Sequence, residues 1–235
     1  YEILDLIAYY FPECEGINMD ATVTSILHKS QEELEMLARK KVKHLYIGIE
    51  SGLDDVLKFM KKDHDLAQAY QAIDRLHEAG LIYDAHIMTG VAGKGRGMEN
   101  AEALAQFLNR TNPAHVVNFS MFLHKEVPLY QDIRQGTFVP ADELETIREE
   151  YHLIERIAPE KAGANILYDG FHDFIHVRVR GHLPGDKEKM LAKLNGIIQE
   201  YEGKEPVYSF VQGECPDLEY CDDGKAVWDM DRKTS

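Results

Sequence analysis

Several features are scarce in this chain of 235 residues, and each absence excludes a class of protein. It has three cysteines, Cys14, Cys215 and Cys221, which are too few for the disulfide framework of a small secreted domain. Cys215 and Cys221 do not have zinc-ribbon spacing, so we expect free thiols. No apolar run approaches the ~20 residues that cross a membrane, and we recognise no signal peptide. We therefore expect a cytoplasmic protein without a membrane partner.

Basic residues are also scarce relative to acidic ones. The chain has 26 Lys and Arg against 41 Asp and Glu, a net charge of −15. Binding to a nucleic-acid backbone requires a basic surface, so this balance argues against a nucleic-acid partner and favours a small-molecule substrate. Hydrophobic residues make up 44% of the chain, enough for a sizeable core.

The segment that best defines the fold is residues 44–65. His44–Ile49 is short, apolar and rich in β-formers, which predicts a buried strand. Glu50, Ser51 and Gly52 end it, and a helical pattern begins at Leu53. Ligands of α/β proteins bind at this carboxyl edge of the strands. The alternative to a ligand-binding role is structural: Ser51 caps the helix, and Glu50 is a charged residue at the rim of the sheet.

The strand–helix pattern recurs at intervals of roughly 30–40 residues. Strands are predicted near residues 16, 44, 83 and 115, and this alternation indicates parallel strands with helices outside. A capping box of Ser30 and Glu33 predicts a helix over 31–40, and Asp142 begins a long charged helix that ends near Ile157. Beyond it we expect two short strands or turns around Asp169-Gly170, a helix over 186–201 and a short strand at 207–211.

Several segments together resemble one family, the radical S-adenosylmethionine (radical SAM) enzymes, and within it the branch of coproporphyrinogen oxidase and the methylthiotransferases. The third strand and helix of that family resemble INMDATVTSILHKSQEELEMLARKKVKHLYIG, and the fourth resembles IGIESGLDDVLKFMKKDH. The fifth and sixth resemble AHIMTGVAGKGRGMENAEAL and VVNFSMFLHKEVPLY. The segment NILYDGFHDFIHVRVRGHLPGDKEKMLAKL resembles a C-terminal part of uncharacterised members.

The resemblance implies an α/β fold, a partial TIM-type (β/α)6 barrel over residues 1–157 with a C-terminal α+β appendage over 158–235. It implies a fragment of an Fe-S oxidoreductase that cleaves S-adenosylmethionine to a 5′-deoxyadenosyl radical and abstracts hydrogen from an unknown substrate. The family's CxxxCxxC motif, which holds a [4Fe-4S] cluster, does not occur in this sequence. We therefore expect the cluster ligands upstream and the fragment alone to be inactive.

The resemblance also implies cofactor-binding residues at the carboxyl ends of the strands. Glu50 corresponds to a polar position near the ribose or methionine, and Lys62 to a basic position that pairs with the methionine carboxylate. His86 lies beside the nucleoside, and Met88 and Gly90 pack on adenine. The same set includes Asp20 as an acidic contact, and Met121 with its neighbour Phe122 as the contact from the sixth strand. It also includes Gly48, which lets the backbone approach a ligand, and Ser51, which caps the following helix.

Other patterns leave alternatives open. Lys62 lies in a charged run that solvent alone can explain, and Met88 and Met121 can be core residues. The loop 93–97 lacks the Gly-Lys-Ser/Thr order of a P-loop, which argues against phosphate binding. His172, His176 and His182 form a cluster in the sequence. On a helix His172 and His176 would share a face and could ligate a metal, but the composition favours a strand, where the histidines would form a polar face or contact a substrate.

A second reading is a non-catalytic acidic α/β module that binds a partner. It would use the glycine-rich loop and the C-terminal tail for binding. In addition, a partial barrel leaves an exposed strand at one side of the sheet, and exposed edges pair with other chains. A homodimer through this open barrel edge is the corresponding prediction. A lyase or aldolase barrel is a weaker reading, since no convincing Schiff-base lysine follows a strand.

Overall fold

The computed structural model describes residues 1–210, and within them a single six-stranded sheet organises the chain. The strands are β1 (Ile17–Ala21), β2 (Val42–Glu50), β3 (Ile82–Thr89), β4 (His115–Ser120), β5 (Ile166–His172) and β6 (Val177–Leu183). They lie in the order of the sequence. The first five are parallel, and β6 returns antiparallel to β5.

Helices connect the parallel strands, as the alternating pattern predicts. They are α1 (Glu2–Tyr10), α2 (Val23–Leu27), α3 (Gln31–Arg39), α4 (Asp54–Phe59), α5 (Leu66–Glu78), α6 (Gly97–Thr111), α7 (Leu129–Gln135), α8 (Glu143–Arg156) and α9 (Lys187–Tyr201). The predicted capping box of Ser30 and Glu33 begins α3, and Asp142 accepts a hydrogen bond from Glu145 N at the start of α8. The sequence pattern did not predict α2 or α7.

The two faces of the sheet have different environments. Alternate residues of β2, Leu45, Ile47 and Ile49, are buried in the main hydrophobic core together with residues of α3, α5, α6, α8 and α9. The side chains between them point to the other side of the sheet, because successive residues of a strand face opposite ways. We call this other side, which bears Tyr46, Gly48 and His86, the open face; several of its side chains are half-exposed.

The mostly parallel α/β sheet confirms the predicted fold class, a partial TIM-type architecture. Within residues 1–210, β1 pairs only with β2, so it is an edge strand. Dimerisation through this edge stays a prediction. The boundary at residue 157 also stays a prediction; β5 and β6, on its far side, continue the same sheet.

The two short strands expected around Asp169-Gly170 are present as β5 and β6, but the turn between them is not at Asp169-Gly170. Both residues lie inside β5, and the chain reverses at Asp173–His176 instead. Gly170 is explained by packing: a Cβ at this position would lie 1.8 Å from Glu150 Oε1, so the glycine makes room for a buried carboxylate.

The predicted strand at 207–211 is only partly described, since Val211 lies outside residues 1–210. Phe210 forms an isolated parallel bridge with Leu123, and Val207 O accepts a hydrogen bond from Glu143 N. Cys215 and Cys221 also lie outside the described residues.

Candidate functional site at the carboxyl edge of the sheet

The carboxyl end of β2 brings three of the predicted residues together. Glu50 ends the strand with φ +62, and its side chain folds back over Gly48. Lys62 Nζ donates a hydrogen bond of 3.2 Å to Glu50 Oε1, and the two side chains are 28% and 25% exposed. A Cβ on Gly48 would lie 2.6 Å from Glu50 Oε1 and 3.2 Å from Lys62 Nζ, so the absence of a side chain at Gly48 leaves the space that this ion pair occupies.

The conformation of Glu50 is informative in itself. A left-handed backbone is uncommon for a residue with a side chain, and such strain occurs more often where function requires it. Lys61, which precedes Lys62 after α4, also has a positive φ, of +56°. The segments that flank α4 thus hold an ammonium and a carboxylate side by side, half-exposed, at the edge where α/β proteins bind ligands.

The next two strands add apolar groups to the same edge. Met88 of β3 and Met121, just beyond β4, pack together with a small cluster that contains Val56, Val91 and Ala92. Met121 N donates to Thr89 O, which keeps the chain after β4 beside the end of β3. Thioether side chains adapt to flat partners, so this cluster can serve both as core and as the wall of a nucleoside site.

His86 lies one step inside this edge. It is the strand partner of Gly48, and its ring centroid lies 5.2 Å from that of Tyr46 and 6.1 Å from that of Phe119. Glu50, His86 and Met121 therefore lie towards the same end of the sheet. Whether they line one ligand site stays a prediction.

Gly90 turns the chain after β3. Its φ of +81 favours glycine, and a Cβ would meet Thr146 Cγ2 at 2.8 Å. Its N–H donates to Glu149 Oε2 at 2.8 Å, which connects the edge to the buried side of α8.

The remaining predicted residues differ in their availability. Asp20 is exposed on β1, in register with Tyr46 of β2, and Phe122 is 55% exposed. Ser51 is fully buried, and its Oγ donates to Asn100 Oδ1 of α6 at 2.7 Å. The side chain of Ser51 thus fastens the turn to α6 and does not reach the open face, so its predicted cofactor role can concern only its backbone.

The glycine-rich loop after β3 has several backbone N–H groups that already donate hydrogen bonds within the protein. Gly93 N donates to Gly90 O, Lys94 N to Val139 O and Arg96 N to Gly93 O, while Gly95 N donates to the carboxylate of Glu145. A phosphate cradle needs such groups free and converging, so this geometry agrees with the absence of P-loop order. A cavity of about 370 Å³ lies beside the loop, lined by side chains that include Phe59, Val91, Phe138 and Arg96.

A buried polar network supports the carboxyl edge from the helix side, and sequence analysis did not find it. His172 Nδ1 lies 3.0 Å from Glu143 Oε2, and its Nε2 lies 3.0 Å from Glu150 Oε2. Burial alone would lower the pKa of His172, but the charge of Glu150 and hydrogen bonds to both carboxylates raise it to about 10. His172 is therefore an imidazolium that joins the end of β5 to α8.

The same network reaches β3 and β4 through further bonds. Glu143 accepts from Ser120 Oγ at 3.0 Å, and Glu150 accepts from Asn118 Nδ2 at 3.2 Å. Glu149 accepts from Asn100 Nδ2 and from Gly90 N; burial raises its pKa to about 7 despite these bonds. The ends of three strands are thereby held in fixed positions by one face of α8.

The fit of an iron–sulfur cluster differs from that of a nucleoside. Within residues 1–210 the one cysteine is Cys14, which precedes β1 and so lies by the amino ends of the strands. A cluster held by three thiolates does not fit the described residues. The same part of the chain contains no group of three or more His, Cys, Asp or Glu placed to hold a metal ion; His172 ends β5, whereas His176 lies in the hairpin turn.

No helix in the described part of the chain is both long and apolar enough to cross a membrane.

Comparisons with known proteins agree with this architecture. Residues 2–108 match the sequence model of the radical SAM superfamily. A curated relative, the tRNA uridine(34) acetyltransferase of Methanocaldococcus infernus (strain DSM 11812 / JCM 15783 / ME), is 24% identical over 119 residues, which are 50% of this chain and 22% of the relative.

A solved structure, the archaeal Methanocaldococcus infernus Elp3 with an N-terminal deletion of residues 1–46, superimposes with a TM-score of 0.58 at 16% identity. The match covers 80% of this chain and 42% of that one, and at this identity it shows the fold alone. The chain thus spans less than half the length of these relatives.

Proposed function

We propose that this chain, whose residues 2–108 match the radical SAM superfamily model, is the part of a radical SAM enzyme that holds S-adenosylmethionine at the carboxyl edge of β2, β3 and β4. The observation that supports the proposal most directly is the Glu50–Lys62 pair above Gly48. It offers one group of each charge beside an apolar wall. S-adenosylmethionine likewise has a charged amino-acid part and a flat nucleoside.

The roles proposed for the residues are those that the family resemblance implies, and their chemistry suits them. The Lys62 ammonium pairs with the methionine carboxylate as a point charge, and Glu50 holds Lys62 in place while it accepts a hydrogen bond from a ribose hydroxyl. Met88, Gly90 and Met121 pack on the adenine ring, with His86 beside the nucleoside. The methionine cluster and the strand ends exclude water from this part of the ligand.

When its sulfonium is reduced by an iron–sulfur cluster, S-adenosylmethionine supplies a radical that abstracts hydrogen from a substrate. The described residues do not fit such a cluster, so we assign that step to the intact protein and expect this chain alone to be inactive. The acidic balance of the sequence favours a small-molecule substrate over a nucleic acid for this chain. The relative named as a tRNA acetyltransferase supports enzymatic function at the level of the superfamily.

The proposal is tested by titrating S-adenosylmethionine into the full 235-residue chain and into Lys62→Ala. A charge-assisted hydrogen bond contributes roughly 1.5–3 kcal/mol, so we expect affinity to fall about tenfold or more. Lys58→Ala is the matched control, because Lys58 is an exposed lysine of α4. Equal affinity of Lys62→Ala and Lys58→Ala would reject the assignment, and absence of binding by the unmodified chain would favour the non-catalytic binding module.

A further inference from the structure

The open face carries a second group of polar side chains, at the amino ends of the strands. His44 is the third residue of β2, Asp84 the third of β3 and His115 the first of β4. Tyr46 is the strand partner of Asp84. Asp84 lies four residues before Met88, which places it roughly 13 Å along the strand from the carboxyl edge.

Asp84 is buried with half of its hydrogen-bonding capacity unused. Its side chain is fully buried, and Oδ2 lies 2.7 Å from His44 Nδ1. Oδ1 has no hydrogen-bond partner among residues 1–210, although it is shielded from solvent. Buried polar atoms without a partner are rare in native proteins and require an explanation.

A second unpartnered atom lies on the neighbouring strand. His115 Nε2 is buried and makes no hydrogen bond with the described part of the chain. Ala85 of β3 pairs with Val116 of β4, so Asp84 and His115, one residue earlier on each strand, lie beside each other on the open face. Burial nevertheless lowers the pKa of His115, which keeps the ring neutral and lets one nitrogen accept a hydrogen bond.

The aromatic ring of Tyr46 lies beside the ring of His115. The ring of Tyr46 has its centroid 6.3 Å from that of His115 and 5.2 Å from that of His86. The nearby guanidinium groups of β6 are directed to another carboxylate: Arg178 makes two hydrogen bonds to Asp169, and Arg180 lies 3.6 Å from it. The site thus combines a carboxylate oxygen, a neutral imidazole and ring faces, which together attract a cation that has N–H donors.

We propose that Asp84, His115 and Tyr46 form a binding site for the ammonium group of a small primary amine. One N–H donates to Asp84 Oδ1 and a second to His115 Nε2, while the ring of Tyr46 covers the charge. His44 positions Asp84 by its bond to Oδ2. This site does not depend on the nucleoside site, since Asp84 and His115 lie towards the other end of the strands and the three residues that would contact the amine are not among those assigned to the nucleoside.

The test titrates benzylamine, protonated at neutral pH, into the full chain labelled with ¹⁵N in its histidine rings. Benzyl alcohol is the neutral comparison of nearly equal shape. We expect the amine to shift the ring resonances of His115 and the alcohol to leave them unchanged. In Asp84→Asn, which keeps the shape and removes the charge, amine affinity falls about tenfold because charge-assisted bonds are roughly twice as strong as neutral ones.

Asp74→Asn is the matched control, since Asp74 is an exposed aspartate of α5, and it should bind like the unmodified chain. His115→Gln provides a second variant if Asp84→Asn does not fold, and it too should weaken amine binding. Three results would each overturn the proposal: equal shifts with amine and alcohol, no shift of His115 with the amine, or a free-state His115 Nε2 resonance that shows a bond to Asp84 itself.

Discussion

Replacing His172 by glutamine should destabilise the protein strongly, because this imidazolium forms hydrogen bonds with two buried carboxylates. The ring is fully buried, with Glu143 on one nitrogen and Glu150 on the other, each at 3.0 Å. A glutamine amide is uncharged and has N–H donors at one end only. At least one carboxylate would therefore remain buried without a donor from this position.

The magnitude follows from the pKa of the ring. A rise from 6.5 to about 10 corresponds to about 5 kcal/mol at 1.36 kcal/mol per unit. Breaking a buried ion pair by removing one partner costs about 3–5 kcal/mol in other proteins, which agrees with this value. We therefore expect His172→Gln to lower the free energy of unfolding by about 3–5 kcal/mol. His28→Gln, at an exposed position at the end of α2, should change it by less than about 0.5 kcal/mol.

The pH dependence gives a second readout of the same interaction. The pKa of His172 is higher in the folded protein than in the unfolded chain, so its contribution is complete below pH 6.5 and is lost as the pH rises towards 10. Urea unfolding at a series of pH values should show this decline in the unmodified chain and not in His172→Gln. A loss below about 1 kcal/mol with an unchanged pH profile would refute the reasoning.

The remaining predictions concern the turn after β2, the helix α8 and the sheet edge. Gly52→Ala should lower the free energy of unfolding by about 1–3 kcal/mol, because its Cβ would lie 2.4 Å from Leu104 N of α6. Gly196→Ala, which has open space around it in α9, should raise the free energy of unfolding by about 0.5–1 kcal/mol. Equal effects of the two substitutions would contradict this packing. Burial raises the pKa of Glu149 from 4.5 to about 7, so stability should fall as the pH rises across that range, and Glu149→Gln should remove the decline; an unaltered profile would argue against burial of this carboxyl. Light scattering should detect a dimer formed through β1, whereas a strict monomer at all concentrations would exclude it.

The order of the strands could be predicted from the sequence because local patterns carry it. The apolar segment ending at Ile49 and the helix beginning near Leu53 recur as a unit, and this repeat requires parallel strands. The cap of α3 at Ser30 is local too, since the bonds that define it lie within three residues. Such features depend on few long-range contacts.

The buried network could not be predicted, because its logic is tertiary. Glu143, Glu149 and Glu150 look like the solvated face of a charged helix until β5 brings His172 against them. The role of Gly170 is tertiary too. In the sequence a glycine after an aspartate is typical of a turn, and only the structure shows that the carboxylate of Glu150 occupies the space of its missing Cβ.

The candidate site was predicted in part. Gly48, Glu50 and Lys62 lie together at one strand end, while their cofactor role stays a prediction, and the side chain of Ser51 turns away into the interior. The pairing of His44 with Asp84 had a weak signal, since both are polar residues that alternate with apolar ones early in a strand. Alternation alone does not distinguish a binding face from a solvated one.

The most direct test of the account records the methyl resonances of Met88 and Met121 while S-adenosylmethionine is added to the full chain. The account predicts that both shift in a saturable manner and that Lys62→Ala moves the titration to higher concentration, with Lys58→Ala unchanged. Saturable shifts that spare both methionines, or that are identical in Lys62→Ala, would contradict a nucleoside site at the carboxyl edge of this sheet.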